Sequence, residues 1–242
     1  MARSGAKTRA RSKGAGSAQP LWRRGLRWLG RGLGGFAAVL LLLILVFAVV
    51  PPPPGIYMLQ ESRRLGGIQR DWVPMDRISP HMQRAAVAAE DANFCLHWGF
   101  DMNEIRRALD QGRGRGASTI SQQVVKNVFL WHGRTWFRKA PEAVLTPVVE
   151  TFWSKRRILE VYLNVAEFDT GVFGVEAAAR HYFGTDAASL SPTQAARLAM
   201  VLPNPKERSA SRPTDAQRRR TAAILDGAAT IRADGRSACF EG

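Results

Sequence analysis

The sequence predicts a mostly α-helical globular domain preceded by one N-terminal transmembrane helix. Three observations carry this. Leu33 to Val50 holds no charged residue and is mainly apolar; as a helix, these eighteen residues span about 27 Å, close to the ~30 Å hydrocarbon core of a bilayer. Downstream, apolar residues recur at three- and four-residue spacings between helix-capping signals. Strand signals are few and short, the best being Ile56 to Leu59.

The chain of 242 residues carries a formal net charge of +15. Its distribution matters more than its size. Residues 1–32 contain nine basic side chains and no acidic one, which reads as a basic cytoplasmic tail. The anchor follows over 33–50. Arginines before the apolar run, with few charges just after it, predict a cytoplasmic N-terminus and an exported remainder. A cleaved signal peptide is the rival reading, against which stand the long apolar run and the lack of a clear A-x-A site. Pro51 to Pro54 stop the helix, because proline lacks the N–H donor and restricts the residue before it; residues 51–56 form a proline-rich linker. A globular domain is expected over 57–213, with a C-terminal helix and tail over 214–242. Hydrophobic content of 45% and charged content of 23% suit a globular protein. Cys95 and Cys239 have neither metal-ligand nor redox spacing; they read as two free thiols, with a disulfide between them in an oxidising compartment as the alternative. His97, His132 and His181 lack ligand spacing, so no dedicated histidine metal site is expected.

Within the domain, Ser79-Pro80 reads as an N-cap followed by proline at the first helical position. The helix that follows would present Met82, Ala85, Ala86 and Ala89 on one face. Gln111 to Ala117 is a glycine-rich basic loop, after which Ser118 opens a helix through about Phe129. A further helix is expected from Glu142 to Trp153, kinked or broken near Pro147, and another from about Ser154 to Asn164. Ala177 to Phe183 ends at the C-terminal stop Gly184. Ser191-Pro192-Thr193-Gln194 is a capping box entering a helix that Pro203 terminates.

Four clusters carry chemistry. In EDANFCLHWGFD (residues 90–101), Glu90 and Asp91 follow an apolar helix and precede aromatics, a setting that desolvates a carboxylate and raises its pKa toward the range of a working base. A solvated helix end beside an aromatic turn would look the same. In GASTISQQVVKN (116–127), Ser118, Thr119, Ser121, Gln122, Gln123 and Asn127 form a dense set of hydroxyls and amides suited to a sugar, or to a plain polar helix surface. Gln122 and Lys126 share a helical face at i, i+4. In WHGRTWFRKAPE (131–142), Arg134, Arg138 and Lys139 interleave with Trp131, Trp136 and Phe137. Basic groups of this kind hold phosphate, and tryptophans favour the membrane interface. In the fourth cluster, residues 155–184, Glu160 and Glu176 lie in strongly helical stretches, where a structural cap or ion pair is the expected role.

Together these clusters resemble the peptidoglycan glycosyltransferase family, the lysozyme-like domain shared by class A penicillin-binding proteins and their monofunctional relatives. EDANFCLHWGFD resembles the family's first motif, GASTISQQVVKN its second, RKAPE its third, and RRILEVYLN with GVFGVEAAARHYFG its fourth. The similarity runs from about Ile56 to Pro213. No Ser-x-x-Lys box follows, so the chain is similar to the monofunctional type of the bacterial inner membrane. The resemblance implies a lysozyme-like helical fold and an inverting polymerisation of lipid II with release of undecaprenyl pyrophosphate. It implies Glu90 as general base and Glu142 as a second functional carboxylate. Asp91, Ser118, Thr119, Gln122, Gln123, Lys126, Asn127, Arg134, Arg138 and Lys139 would bind substrate or support the site, with Lys126, Arg134 and Arg138 neutralising the pyrophosphate. A Mg²⁺ or Mn²⁺ requirement, a mobile flap at Gln111 to Ala117, a membrane-dipping Trp131 to Phe137, and recruitment by cell-division or elongation proteins are further expectations. Two departures stand out: Asp169 replaces the family's usual glycine, and Pro141 lies beside Glu142.

The enzyme alternative is a lytic transglycosylase or muramidase, which needs no cationic pyrophosphate clamp. A non-catalytic cell-wall scaffold is the alternative outside enzymes. Nucleic acid is not an expected partner, because most of the excess charge precedes the anchor.

Overall fold

A computed structural model describes residues 21–110, 118–133 and 135–241. Residues 1–20 of the basic tail, the expected flap over 111–117 and Arg134 lie outside the described residues. The described residues up to Leu43 form one compact unit and those from Ile44 onward a second. Helix α1 runs from Leu21 to Phe47, longer at its N-terminal end than the apolar run alone predicts. Within it Gly25–Phe47 is long and apolar enough to cross a membrane. The arginines extend it without interruption, because arginine is a good helix former.

The second unit is mostly helical. After the prolines, α2 covers Ile56–Leu65, where a strand was expected at Ile56 to Leu59. Four residues of mixed character do not settle the period by themselves. The outcome follows from burial at i, i+3, since Met58 and Glu61 are the buried positions of this segment. Gly66 closes the helix in the left-handed conformation. Three short strands, β1 Gln69–Arg70, β2 Glu167–Asp169 and β3 Val172–Phe173, make one small sheet in the order β1-β3-β2. The first pair is parallel and the second antiparallel.

Ser79 caps α3 (Pro80–Glu90), accepting from the His81 N–H. Met82, Ala85 and Ala86 are buried as the spacing requires, while Ala89 is half-buried. Helix α4 covers Met102–Asp110. The next helix, α5, begins at Ile120 rather than Ser118 and ends at Phe129. Its start is fixed by Thr119, whose side chain accepts from the Gln122 N–H while the Gln122 side chain accepts from the Thr119 N–H. Helix α6 spans Trp136–Phe152 and continues through both Pro141 and Pro147. The expected break near Pro147 is absent. Buried Leu145, Thr146, Val149 and Glu150 hold this helix against its neighbours, and packing of that kind outweighs one missing backbone bond.

Helix α7, Lys155–Val165, is the centre of the unit, with every residue from Val161 to Val165 buried. It packs on α5, and α5 packs on α6. Helices α8 (Val175–Phe183) and α9 (Pro192–Val201) follow with the expected Gly184 stop and Ser191–Gln194 capping box. Helix α10 (Asp215–Ala233) lies across α3 and α9, and a last turn, α11 (Ala238–Glu241), packs on α7. The carboxylates of the fourth cluster are structural. Glu160 accepts from the Met75 N–H and pairs with Arg157. Glu176 accepts from the Ala187 N–H and pairs with Arg180.

One further sequence expectation changes. Cys95 and Cys239 are not free thiols: they form a disulfide across 144 residues, because folding brings α11 beside the loop that follows α3. Asp169 is not strained, since no described residue other than glycine has a positive φ. The left-handed position of this turn is Gly171, with φ 75°, which leaves Asp169 free to accept from the Tyr182 hydroxyl.

Candidate active site

Glu90 is the last residue of α3, and its carboxylate is aimed at α5. The Gln123 side-chain amide donates to Glu90 Oε2 at 2.8 Å. Burial raises the Glu90 pKa above 4.5, opposed by the Gln123 hydrogen bond and by the Arg220 and Lys126 charges. Desolvation wins, so the group has the character of a base. Tyr162, fully buried on α7, has a hydroxyl with no hydrogen-bond partner among the described residues. Burial and the nearby Glu90 and Asp91 charges push its pKa well above 10, which keeps it a proton-bearing donor.

Beside Glu90 opens a cleft of about 360 Å³, lined among others by Tyr57, Gln123, Lys126, Asn127, His132 and Lys206. Lys126 comes one helical turn after Gln122 and reaches the cleft from α5. Burial lowers its pKa, the charges of Glu142 and Glu90 supporting its ammonium form. Asn127 Oδ1 lies 3.1 Å from His132 Nε2, and the His132 ring stacks on Tyr57 with centroids 3.7 Å apart. Burial takes the His132 pKa down to about 4, helped by Lys126, Arg138 and Lys206, so the ring is neutral near pH 7. On the far wall the Tyr57 hydroxyl donates to Glu167 Oε2 at 2.6 Å, and Lys206 pairs with Glu61. The Arg64 hydrogen bond, ahead of the Lys206 interactions, holds Glu61 down at about 2.

A second charged group sits on the first turns of α6. Glu142 is 2% exposed, and its two carboxylate oxygens are taken by Arg138 and Lys139. Lys139 also reaches the exposed Ser118 hydroxyl at 3.5 Å. The geometry follows from helix spacing, with Arg138 and Lys139 lying four and three residues before Glu142. Pro141 leaves this arrangement intact.

The remaining sequence candidates have structural partners. Asp91 is buried, accepting from the Ile120 N–H at 3.0 Å through one oxygen and pairing with His97 through the other. It caps the N-terminus of α5, where a negative charge is favoured. Thr119 and Gln122 form the capping box described above, and the Thr119 hydroxyl donates to the Gly99 carbonyl. Ser121 donates to Glu150. Sequence reasoning singled out neither Tyr162 nor the Tyr57–Glu167–Lys206 wall. Tyr162 was visible only as part of an apolar helix face, and the wall joins residues far apart in the chain.

The transglycosylase family profile matches residues 59–229. The chain belongs to the transglycosylase family. A biosynthetic peptidoglycan transglycosylase of Jannaschia sp. (strain CCS1) is 60% identical over 214 residues, covering 88% of this chain and 90% of that protein. One of the same description from Rhodospirillum centenum (strain ATCC 51521 / SW) is 53% identical over 178 residues, covering 72% of this chain and 77% of the relative. The matched region of this transglycosylase contains every carboxylate and described cation of the site. Among the described residues no group of three His, Cys, Asp or Glu is placed to hold a metal ion, and both Glu142 oxygens already face cations. These side chains do not by themselves form a Mg²⁺ or Mn²⁺ site.

Proposed function

We propose that this protein is a peptidoglycan glycosyltransferase that polymerises lipid II into β-1,4-linked glycan strands by inverting transfer, releasing undecaprenyl pyrophosphate. The observation that carries the reading is a desolvated carboxylate, Glu90, held by Gln123, with Gln123 and Lys126 lining the cleft and the charges of Arg138 and Lys139 close to Lys126. In this reading Glu90 takes the proton of the acceptor 4-hydroxyl as its oxygen attacks the donor's anomeric carbon from the face opposite the diphosphate. The anomeric carbon–oxygen bond breaks, its electron pair leaves on the diphosphate, and the new glycosidic bond has inverted configuration. Lys126, backed by Arg138 and Lys139, meets the charge that develops on the leaving group. Tyr162, whose hydroxyl has no partner among the described residues, is a donor available to this centre. Glu142 orients the two cations that bind it.

The setting supports the same reading. The apolar Gly25–Phe47 helix suits a single-pass inner-membrane anchor with the catalytic domain on the periplasmic side, where a disulfide persists. Trp136 and Phe137 are 86% and 89% exposed, as befits side chains dipping into the membrane interface. Recruitment by cell-division or elongation proteins would act through the anchored chain. The test is incubation with labelled lipid II and, separately, with finished glycan strands. Polymer formed from lipid II, with the strands left intact, is the expected result. Cleavage of strands without polymerisation would instead make the protein a lytic enzyme.

A further inference from the structure

The loop after the base, residues 91–101, is gripped from one side by the C-terminal end of the chain. Cys95 is bonded to Cys239. Phe94 is fully buried, its ring centroid 6.4 Å from that of Phe240, which is also fully buried. The Arg236 guanidinium donates to the Ala92 carbonyl at 2.9 Å, and Glu241 pairs with Arg84 of α3, the helix that ends in Glu90. Arg156 of α7 donates to the Phe240 carbonyl at 2.9 Å. From its other side the same loop holds α5: Asp91 caps Ile120, and three residues on, Gln123 holds Glu90. The loop therefore connects the C-terminal turn to both ends of the Gln123–Glu90 hydrogen bond.

Resting on Glu90 being the general base, we propose that residues 234–241 are a disulfide-locked strap, in which Cys239, Phe240 and Arg236 are positioning residues for Glu90, so that transfer reaches its full rate only once Cys95 and Cys239 are joined. The two thiols lose two protons and two electrons to a second disulfide, such as that of a thiol–disulfide oxidoreductase in an oxidising compartment, which becomes two thiols. The chain made in a reducing compartment is thus held back until its domain is exported.

The test compares the full-length protein in detergent in the oxidised form, in a phosphine reductant, and after reoxidation with oxidised glutathione. Hydrogen–deuterium exchange is followed over 91–101 and 120–125, and the pH profile of lipid II polymerisation is recorded. The groups facing Glu90 are Asp91 on its own segment, Gln123 and Lys126 on α5, Tyr162 on α7 and Arg220 on α10. Reduction is expected to raise exchange in both segments, to lower kcat by about tenfold, and to move the acid limb of the rate toward 4.5 as water reaches Glu90. Reoxidation should restore all three. Arg236→Met, which leaves the disulfide in place, should move the acid limb in the same direction by a smaller amount, guarding against the outcome that reduced protein simply unfolds. Unchanged exchange and an unchanged acid limb on reduction, or an Arg236→Met profile superimposable on wild type, overturn the strap. An oxidised wild type that makes no polymer overturns the glycosyltransferase reading instead, and the exchange data still decide the strap.

Discussion

Replacing Glu90 with glutamine separates the chemistry of this site from its architecture. Glutamine keeps the volume and an acceptor oxygen for the Gln123 amide, now 2.8 Å from Glu90 Oε2, and removes only basicity and charge. A positioned general base contributes about 10²–10⁴-fold, or roughly 3–5 kcal/mol of barrier at 1.36 kcal/mol per decade. Lipid II polymerisation by Glu90→Gln should fall by that factor. Stability should move the other way. Burial raises the folded-state pKa of Glu90 above 4.5, so the folded protein binds its proton more tightly than the unfolded chain does. The stability this group contributes is complete below 4.5 and is lost as pH rises through the folded pKa. At neutral pH the glutamine variant, spared a desolvated charge, should melt at or above the wild-type temperature, and the difference should vanish in acid. Wild-type kcat/KM should carry an acid limb above 4.5 that marks the deprotonated base. Initial rates across pH, together with thermal melts of both proteins, make the measurement. Activity within tenfold of wild type, with the acid limb in place, would refute the role given to Glu90.

Other perturbations probe the surroundings. Lys126→Met should reduce polymerisation by about 10²–10³-fold, the scale of losing one preorganised charge-stabilising group, with no loss of thermal stability, because burial already disfavours this ammonium. Gly174→Ala should destabilise the domain by roughly 1–3 kcal/mol, read as a lower melting temperature: Gly174 has φ 85°, and an added Cβ would lie 3.0 Å from the Asn164 carbonyl oxygen. Asn164→Leu should cost about 1–3 kcal/mol for each buried polar group it orphans, measured by urea denaturation, since the Asn164 amide accepts from the Val73 N–H and donates to the Val73 carbonyl.

Elements specified by local chemistry were legible in the sequence. The Ser79-Pro80 start, the Gly184 stop and the Ser191–Gln194 box each concern a few adjacent residues, and each appears where those residues place it. The segment at Ile56 was not legible, because its helical period becomes visible only when Met58 and Glu61 are seen to be buried. The disulfide was not legible either. Spacing carries no information about a pairing across 144 residues that depends on where α11 docks. At the candidate site, the sequence marked a dense polar segment without showing how the fold divides its residues. GASTISQQVVKN is dense in hydroxyls and amides, but folding turns Gln123, Lys126 and Asn127 toward the cleft while Thr119 and Gln122 cap the start of α5 and Ser121 binds Glu150. Adjacent positions on one helix differ in this way because 3.6-residue periodicity points them in different directions.

The balance of charge around Glu90 gives Glu142 a consequence beyond its own position. A base must keep a raised pKa while positive charge stands close enough to receive a leaving diphosphate, and these demands oppose each other, because every nearby cation lowers the carboxyl pKa. Lys126 lowers that of Glu90 already. Arg138 and Lys139 add two further positive charges near Lys126, yet both are bound to Glu142, whose negative charge opposes theirs. Lys126, by contrast, has no ion pair among the described residues. The arrangement leaves Lys126 and Arg220, neither of them in an ion pair among the described residues, next to Glu90, and holds two more cations in reserve, each attached to a carboxylate by bonds that a more highly charged diphosphate can compete for. On the proposed mechanism Glu142 would serve the base as well as the cations. Removing its charge would pull the acid limb of the rate downward even though Glu142 and Glu90 share no hydrogen bond.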